Sequence, residues 1–540
     1  MIGKSVLFLV AVAAIMGAIR PWLRHVRVVL YTRGRRSGKL PRREETPQGI
    51  MFGNVRLSRS QANQHFLFVG TSGSGKTLMQ RRLMADVLRG ITPGSDRRCL
   101  ILDAKQDVAR LLRHLGISCD VYSLDPLQRH ETWPQAVAWD VAADICSPPR
   151  ALNLAAALFP EESGGQNRYW TDAGRHVVAG LIESLIRHSA GSWTFADFIY
   201  ALLSLDRLTE LLRRDAEGCD ISQAFLGEAD TAYKVFTTIV SRIAYFRTVA
   251  ALWQQVPRHR QLSIRAWLTS DSILLLGTNA TIEAALDPLN ELLFRIFVED
   301  VDAQANSTTR ETWAWIDEAR LARALLRGER LSYFAVKARS KGGALVLSFQ
   351  DIEGFRHACG SSQLADEIVA QCSWKMLGRM ESEQSARWAS GLTGQFETLE
   401  WHSSETSSGT RFGRAIAAQR VMKDVVLPAE FYAIPVPNRK RGVRAVFLSP
   451  DFAIMDTVRG DDLQAVVVPE YNTIDDGDAT AQMHIDGIPT LQPWTADDRQ
   501  RLALPPVAPL PIVDRQRQRL ELLRPAMPPD HRMVHPKTRR

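Results

Sequence analysis

The 540-residue sequence has few cysteines, and none of the six forms a CxxC pair. Zinc sites and disulfide scaffolds need closely spaced cysteines, so neither fits this chain. Buried thiols in a reducing compartment fit better. The sequence also has no internal repeat, and its length suggests two to four domains with enough core for a large α/β fold. The six cysteines are Cys99, Cys119, Cys146, Cys219, Cys359 and Cys372.

Most of the chain has no excess of positive charge. The net charge is +8, but residues 1–45 already carry ten Lys/Arg and two Glu. The other 495 residues balance at 57 basic against 57 acidic side chains. Bulk charge therefore does not indicate nucleic-acid binding, and any DNA-binding patch must be local.

Long apolar runs are also scarce. Ser5–Ile19 is an unbroken run of 15 residues, whereas a helix that crosses a bilayer comfortably needs about 20. Lys4, Arg20 and Arg24 can snorkel to extend it, with Trp22 at the interface. The basic flank predicts a single-pass anchor in the inner (cytoplasmic) membrane, with the bulk of the chain in the cytoplasm. A cleaved signal peptide and a surface-lying helix are the alternatives.

A glycine-rich loop follows the β-rich run His65–Val69 and precedes a helical segment. In this strand–loop–helix context, glycines let backbone N–H groups surround phosphates at a helix N-terminus. Lys76 is then expected to reach the β- and γ-phosphates and Thr77 to hold Mg²⁺, which predicts ATP and Mg²⁺ as cofactors. A coincidental match is the alternative, and the context opposes it. The loop, GxxxxGK[ST], consists of Gly70, Thr71, Ser72, Gly73, Ser74, Gly75, Lys76 and Thr77.

Two further strands end in polar residues suited to phosphate chemistry. Thr312–Ile316 runs into Asp317 and Glu318, and Gly343–Phe349 runs into Gln350. Because ligands gather at the carboxyl ends of parallel strands, we expect Asp317 to support the metal and Glu318 to activate water. Solvated acids and a polar strand terminus are the plainer interpretations. With another strand at Cys99–Leu102, the alternation with helices predicts a wound, mainly parallel α/β sheet.

Several short motifs occur in the order found in one known family. The chain resembles the TraD/TraG-type coupling proteins of type IV secretion, a branch of the RecA-like FtsK/HerA superfamily, from about residue 50 to about 450. Each motif is weak alone, but their colinear order is specific. They are Asp103-Ala-Lys105, Ser123-Leu-Asp-Pro126 with Trp139-Asp140, Asn167-Arg-Tyr-Trp170 with Ala173-Gly-Arg175, Ser263-Ile-Arg-Ala-Trp267, Asp317-Glu318, Arg339-Ser-Lys-Gly-Gly343 with Gln350, and Arg379-Met-Glu-Ser382 with Ala386-Arg-Trp388.

The resemblance implies a RecA-like P-loop NTPase with an inserted all-α domain and a short N-terminal membrane helix. It assigns catalytic roles to Lys76 and Glu318, metal binding to Thr77 and Asp317, and γ-phosphate sensing to Gln350. Arg339 matches an arginine that reaches a neighbouring subunit's nucleotide, which implies a ring, expected to be a hexamer. The plainer interpretation of Arg339 is a solvated basic turn.

The implied activity is ATP hydrolysis coupled to translocation of DNA, single-stranded and without sequence preference. The implied partners are DNA, a relaxase or relaxosome proteins, secretion-channel components, the membrane and further copies of the chain. The sequence departs from the family in having one short apolar run instead of two spans, Ala338 in place of a glycine, and a basic tail.

The predicted organisation has five parts. A Ser/Thr/Gly-rich stretch at 394–418 is expected to be an exposed, mobile loop. Six basic residues in the helical part are predicted phosphate contacts, and solvated helix faces are the alternative. They are Arg175, Arg207, Arg213, Arg214, Arg242 and Arg247. The parts are the anchor and basic segment (1–45), the first part of the nucleotide-binding domain (46–145), the all-α insertion (146–265), the second part of the nucleotide-binding domain (266–465), and an acidic, then Pro-rich and basic, largely disordered tail (466–540).

Three other functions remain open from the sequence. An FtsK- or HerA-like DNA pump without a secretion role is opposed by the Ser263–Trp267 motif and the anchor. A nucleotide-gated recruitment platform with negligible turnover is opposed by the intact Asp317-Glu318 pair. A protein-only secretion adaptor would not bind DNA.

Overall fold

The computed structural model describes residues 30–34, 49–128, 133–160, 167–327, 329–408, 411–468 and 487–506. The predicted membrane anchor at Ser5–Ile19 and the tail beyond residue 506 lie outside the described residues.

Seventeen strands occur within the described residues. They are β1 (Leu30–Gly34), β2 (Ile50–Phe52), β3 (Val55–Leu57), β4 (Phe66–Val69), β5 (Arg97–Asp103), β6 (Asp120–Ser123), β7 (Gln135–Ala136), β8 (Ala138–Trp139), β9 (Gln261–Leu262), β10 (Ser272–Gly277), β11 (Glu311–Ile316), β12 (Gly343–Phe349), β13 (Trp374–Leu377), β14 (Gln395–Ser408), β15 (Arg411–Asp424), β16 (Val443–Leu448) and β17 (Ala453–Val458).

Ten of these strands form one sheet in the order β17-β16-β13-β4-β12-β11-β5-β10-β6-β7. Neighbours from β13 to β7 are parallel, whereas β16 and β17 add an antiparallel edge. The predicted wound, mainly parallel sheet is confirmed. Because parallel strands end at one edge, the loops after β4, β11 and β12 meet there.

Both faces of the sheet are buried, as parallel sheets require. Along β4, Phe66 and Phe68 pack on one face, with Trp313 and Trp315 of β11. Leu67 and Val69 point to the other face. The helices are Arg59–Ala62, Lys76–Leu88, Val108–His114, Val141–Asp144, Pro148–Leu158, Asn167–His188, Phe195–Leu202, Leu205–Leu212, Ala216–Leu226, Ala229–Ile243, Arg247–Gln254, Ile264–Trp267, Glu283–Asp302, Arg323–Arg327, Arg330–Lys337, Ile352–Cys359, Ser362–Gln371, Glu383–Thr393, Pro428–Ala433, Gly460–Leu463 and Ala496–Arg501, with short 3-10 turns between some of them.

An all-helical region separates β8 from β9, and its two ends are tied together. β8 and β9 pair in parallel. The buried Asp144 carboxylate accepts hydrogen bonds from Trp139 Nε1 (2.8 Å) before the helices and from the backbone N–H groups of Ile264 (2.9 Å) and Arg265 (3.2 Å) after them. Burial raises the pKa of Asp144, and these donors oppose that rise. The helical region therefore begins and ends at the same pair of short strands, which is separate from the ten-stranded sheet.

Within the described part of the chain, the stretch Ala229–Gln254 is long and apolar enough to cross a membrane, with a mean hydropathy of 1.3. Its apolar face is already used, because Val235, Ile239 and Ile243 are buried against neighbouring helices such as Asn167–His188. Length and composition are therefore weak grounds for a span here.

Two segments differ from the sequence-based expectation. The stretch 394–418, expected to be an exposed, mobile loop, lies mostly in a long antiparallel hairpin of β14 (Gln395–Ser408) and β15 (Arg411–Asp424), and β1 pairs with β14. The many serines and threonines suggested a loop. In the structure, the backbone groups of β14 and β15 instead form hydrogen bonds with each other along the hairpin. Residues 487–506, expected to be tail, include the helix Ala496–Arg501 and bury Leu502 and Leu504 against the helical region.

Candidate functional site

The phosphate loop connects β4 to the helix Lys76–Leu88. Gly73 (φ 73°) and Gly75 (φ 91°) adopt left-handed backbone conformations that favour glycine. At Gly75 a side chain is also excluded by space, since a Cβ would lie 2.7 Å from Val443 Cγ1. The loop thus keeps a glycine where backbone N–H groups turn towards a ligand at the helix N-terminus.

Neighbouring strand ends hold the loop in place. Thr71 N donates to the carbonyl of Arg379 (2.9 Å), and Gly378 N donates to the carbonyl of Val69 (2.7 Å). Ser74 Oγ is buried and has no hydrogen-bond partner among the described residues. Ser72 is exposed and Thr77 is half-buried in the first turn of the helix. The loop therefore offers polar groups to a ligand while its backbone is fixed.

The Lys76 side chain lies within the loop. Its ammonium donates to the carbonyl of Gly70 and, at 3.4 Å, to that of Thr71. Burial lowers the pKa of Lys76, and the nearby Glu318 and Asp317 carboxylates partly oppose this. A buried ammonium beside two carboxylates is suited to holding a phosphate oxygen.

Asp317 follows β11, which is separated from β4 by β12. Two strands separated by a third lie about 10 Å apart, and the Gln80 side chain of the phosphate-loop helix reaches across this gap to Asp317. Three side chains donate to its carboxylate: Ser348 Oγ (2.5 Å), Lys105 Nζ (2.9 Å) and Gln80 Nε2 (3.0 Å). Burial alone would raise the pKa of Asp317, but the Lys105 ammonium and these hydrogen bonds hold it below its usual value. The carboxylate is therefore ionised and fixed.

Glu318 is held in an unusual backbone conformation, with φ 52° and ψ 62° in the left-handed region. Its backbone N–H donates to Asp317 Oδ1 (2.9 Å) and to Ser348 Oγ (3.1 Å). Its carboxylate accepts a hydrogen bond from Gln350 Nε2 at 3.3 Å. Such strain at a strand end is typical of functional residues. The left-handed conformation places the Glu318 carboxylate beside Gln350, which follows β12.

Sequence reasoning gave no role to three of these side chains. Lys105 belongs to the Asp103-Ala-Lys105 motif at the end of β5, but the motif did not predict the ion pair between Lys105 and Asp317. Gln80 lies one helical turn after Lys76 and also accepts from Trp315 Nε1 (3.1 Å). Ser348 lies near the end of β12, two residues before Gln350, which follows the strand.

Arg339 does not lie near the loop of its own chain. It is exposed in the turn that precedes β12, at the opposite edge of the sheet. Six residues of β12 separate that edge from the level of Val69, which corresponds to about 20 Å. Arg339 lies on a polar cavity of about 830 Å³, which Lys337, Ser307 and Asn306 also line.

The basic residues of the helical region make intramolecular contacts in most cases. Arg175 donates to the carbonyl of Phe159 (2.6 Å), and the Arg207 guanidinium lies 3.8 Å from the Tyr200 ring centroid. Arg213 donates to Ser222 and Arg214 to the carbonyl of Ala503. These contacts favour structural roles for these four. The six named residues are Arg175, Arg207, Arg213, Arg214, Arg242 and Arg247.

The donor set fits Mg²⁺ bound together with a nucleotide. Among the described residues, no cluster of three or more His, Cys, Asp or Glu side chains could hold a metal alone. Mg²⁺ usually takes only one or two protein oxygens and completes its shell with water and phosphate. The ionised Asp317 carboxylate and the Thr77 hydroxyl are oxygen groups that could hold such an ion.

The chain matches known proteins along most of its length. The family model described as "Type IV secretion-system coupling protein DNA-binding domain" matches residues 49–447. The coupling protein TraD of Escherichia coli (strain K12) is 22% identical over 359 residues, which is 65% of this chain and 46% of TraD. The chain thus spans about half the length of that curated relative.

Solved structures of the conjugative coupling protein TrwB share the fold. The unbound TrwBdeltaN70 structure is 18% identical, with a TM-score of 0.58, and the match covers 80% of this chain and 93% of that one. TrwB with the ATP analogue ADPNP (TM-score 0.59) and TrwB with ADP and Mg²⁺ (TM-score 0.58) are each 17% identical, covering 80% of this chain and 94% of theirs. At these identities the likeness concerns the fold, and it confirms the RecA-like P-loop NTPase expected from the sequence.

Proposed function

The chain belongs to the coupling-protein family of type IV secretion systems, and from that premise we propose that it is a membrane-anchored ATPase that translocates DNA. One observation carries the proposal. Lys76 lies more than 200 residues before Glu318 and Gln350 in the sequence, yet the three side chains meet at one edge of the sheet, where ATP hydrolysis requires them.

Each residue has a definite task in the proposed reaction. Lys76 holds the β- and γ-phosphates of ATP, because its ammonium lies inside the glycine loop. Glu318 accepts a proton from the attacking water as it approaches the γ-phosphate. Gln350 touches the Glu318 carboxylate and so links the presence of the γ-phosphate to the loop after β12.

Mg²⁺ would be held by Thr77 and Asp317 and would supply charge neutralisation for the phosphates. Ser348, Lys105 and Gln80 fix Asp317 in its ionised form before a nucleotide binds. TrwB has been solved with an ATP analogue and with ADP and Mg²⁺, which supports the same ligands here.

A ring assembly follows from the position of Arg339 in this proposal. The residue lies about 20 Å from its own phosphate loop, so it can serve only a nucleotide held by an adjacent subunit. Repetition of that contact closes a ring, for which we propose a hexamer. The exposed turn and the polar cavity beside it support a surface that receives another subunit.

The proposed cargo is single-stranded DNA, bound without sequence preference and carried with a relaxase to the secretion channel at the inner membrane. Family membership supports DNA as the partner. The basic segment after the apolar run of residues 5–19 supports attachment to the cytoplasmic face. We further propose that residues 146–265 act as one inserted domain.

The test is ATP turnover by the full chain in detergent, with and without single-stranded DNA. Lys76→Ala should abolish nucleotide binding, whereas Glu318→Gln should keep binding and abolish turnover. DNA stimulation lost in both variants supports the motor. Nucleotide binding without turnover at any protein concentration would refute it and favour a recruitment platform. DNA stimulation without any affinity for relaxase or channel proteins would favour a DNA pump of the FtsK/HerA type.

A further inference from the structure

His65, the residue immediately before β4, is buried at the edge of the sheet that carries the Arg339 turn (Ala338–Lys341). Its side chain is 3% exposed. The backbone carbonyl of His65 accepts a hydrogen bond from Trp374 N (3.1 Å) of the neighbouring β13, so the main chain is fixed. The imidazole contacts the other neighbour, β12, and the helix Arg330–Lys337. A buried polar ring needs hydrogen-bond partners, because an unpaired polar group inside a protein is costly.

Both ring nitrogens of His65 have a partner, and these partners define the tautomer. The Leu345 backbone N–H donates to Nδ1 at 2.9 Å, so Nδ1 is an acceptor. The proton of the neutral ring is therefore on Nε2, which donates to the Ala335 carbonyl at 2.6 Å. Burial lowers the pKa of His65 to about 4; the hydrogen bond to Ala335 opposes this shift, and the Arg339 guanidinium adds to it. The ring is thus neutral near pH 7 and makes both contacts without carrying charge.

The two partners of the ring lie on either side of the Arg339 turn. Ala335 is in the last turn of the helix Arg330–Lys337, where carbonyl groups have no donor within the helix. Leu345 is in β12, which begins just after the turn. One side chain therefore joins the helix that enters the turn to the strand that leaves it.

The backbone of the turn is closely packed, whereas the Arg339 side chain is exposed. Gly342 N donates to the Arg339 carbonyl at 3.2 Å. A Cβ at Gly343 would lie 2.4 Å from Ala338 Cβ, so the turn packs directly against the start of β12. The backbone of the turn therefore determines the direction in which the Arg339 guanidinium projects.

β4 connects the His65 contacts to the phosphate loop of the same subunit. Five residues of extended chain lead from His65 to Gly70, a distance of about 17 Å. The ring is thus too far from its own loop to touch a nucleotide there. It instead aligns the turn that carries Arg339 with the strand that carries the loop.

We propose that His65 is a positioning residue for ATP hydrolysis, which fixes the turn that presents Arg339 to the nucleotide of an adjacent subunit. The inference rests on the proposed function, since it requires that Arg339 acts on a neighbouring site. It adds a residue to which neither the loop motif nor the arginine motif gives a role.

The first test compares two amide substitutions in the full chain. The amide of His65→Asn reaches the position of Nδ1 and leaves the Ala335 carbonyl without its donor, whereas the longer His65→Gln reaches the position of Nε2 and keeps it. His65→Asn should lower kcat for ATP about fivefold or more, because a buried acceptor loses its hydrogen bond. KM should stay within about twofold, because the phosphate loop is unchanged. His65→Gln should keep kcat within about twofold of the wild type, and equal kcat values in the two variants would overturn the inference.

A second test separates a defect in a neighbouring site from a defect in the subunit's own site. His65→Asn protein is mixed in equal amounts with Glu318→Gln protein, which cannot hydrolyse ATP but has an intact His65 and Arg339. A His65→Asn subunit next to such a neighbour receives a correctly held arginine. Single-turnover ATP hydrolysis by the mixture should therefore exceed the sum of the two separate proteins by about two- to threefold.

Two further mixtures with Glu318→Gln protein are the controls. Arg339→Ala should show the same gain, whereas Lys76→Ala, which is defective in its own site, should show none. A gain with Arg339→Ala but not with His65→Asn would overturn the inference and leave the proposed function standing, because His65 would then act within its own subunit. No gain with Arg339→Ala would instead refute the arginine contact between subunits in the proposed function, and the inference with it.

Discussion

Ser348 offers a sharp test of how the acidic pair is positioned. Its buried hydroxyl donates to Asp317 Oδ1 and accepts from the Glu318 backbone N–H, so one atom orients both acids. A hydrogen bond to a charged group contributes about 1.5–3 kcal/mol. Since Asp317 keeps its contacts with Gln80 and Lys105, we take the lower end for Ser348→Ala. A loss of about 1.5 kcal/mol in the transition state lowers kcat roughly tenfold.

The assay is steady-state ATP hydrolysis with saturating single-stranded DNA. Ser348 does not lie in the phosphate loop, so KM should stay within about twofold while kcat falls. Ser272→Ala is the matched control, because Ser272 is buried in β10 of the same sheet and its hydroxyl forms a hydrogen bond with Ser270 Oγ at 2.6 Å, away from the acidic pair. The control should lose some thermal stability and retain kcat.

Two results would refute this reasoning. One is a kcat for Ser348→Ala within about twofold of the wild type, because the hydroxyl would then not orient the acids in the transition state. The other is an equal fall of kcat in Ser272→Ala, because the effect would then come from general weakening of the sheet.

Three further predictions concern stability. Burial raises the pKa of Asp103 from 3.8 to about 7 in the folded protein. The stability that the protonated Asp103 carboxyl gives the folded protein is therefore complete below pH 3.8 and is lost as pH rises through about 7. Asp103→Asn should flatten the dependence of Tm on pH in this window. Arg501→Met leaves the buried Asp197 carboxylate without its paired contacts at 2.7 and 3.0 Å, and should make residues 487–506 sensitive to protease, since breaking such a pair costs about 3–5 kcal/mol. Gly75→Ala should lower stability by about 1–3 kcal/mol more than Gly73→Ala, because both positions have positive φ but only Gly75 lacks space for a Cβ.

Each of these has an outcome that would contradict it. A Tm–pH curve for Asp103→Asn parallel to that of the wild type would show that this carboxyl does not take up the proton. The Arg501→Met protein should be cleaved faster by protease than Arg441→Met, a control change at an exposed turn. Equal cleavage would mean that the ion pair between Arg501 and Asp197 does not hold residues 487–506 in place. Equal Tm values for the two glycine variants would remove the steric argument.

Local patterns predicted the parts of the site that depend on local geometry. The spacing from Gly70 to Thr77 specifies a loop between a strand and a helix, and the structure has that loop. Strand-end positions for Asp317 and Gln350 followed from the apolar runs before them. The catalytic and metal-binding roles of these residues stay predictions.

Other features depended on strand order, which a single sequence does not encode locally. Lys105 meets Asp317 only because β5 lies next to β11, and Ser348 meets it because β12 lies on the other side. The hairpin of β14 and β15 was missed because its many serines are typical of loops, although its backbone groups pair along 14 residues of each strand. Residues 487–506 were predicted to belong to the tail because few of them are apolar. Leu502 and Leu504 are among the few that pack against the core.

The closure of the helical region at Asp144 has a consequence for how this protein can vary. The helical region starts after Trp139 of β8 and ends before Leu262 of β9, which pairs with Trp139, so its two ends lie within about 10 Å. For a flexible connection, each doubling of length adds only about 0.6 kcal/mol of closure entropy. The helices between these points can therefore change in length or be replaced while Lys76 and Glu318 keep their places. The condition is that a carboxylate stays at position 144, because Asp144 joins the start of the helical region to its end.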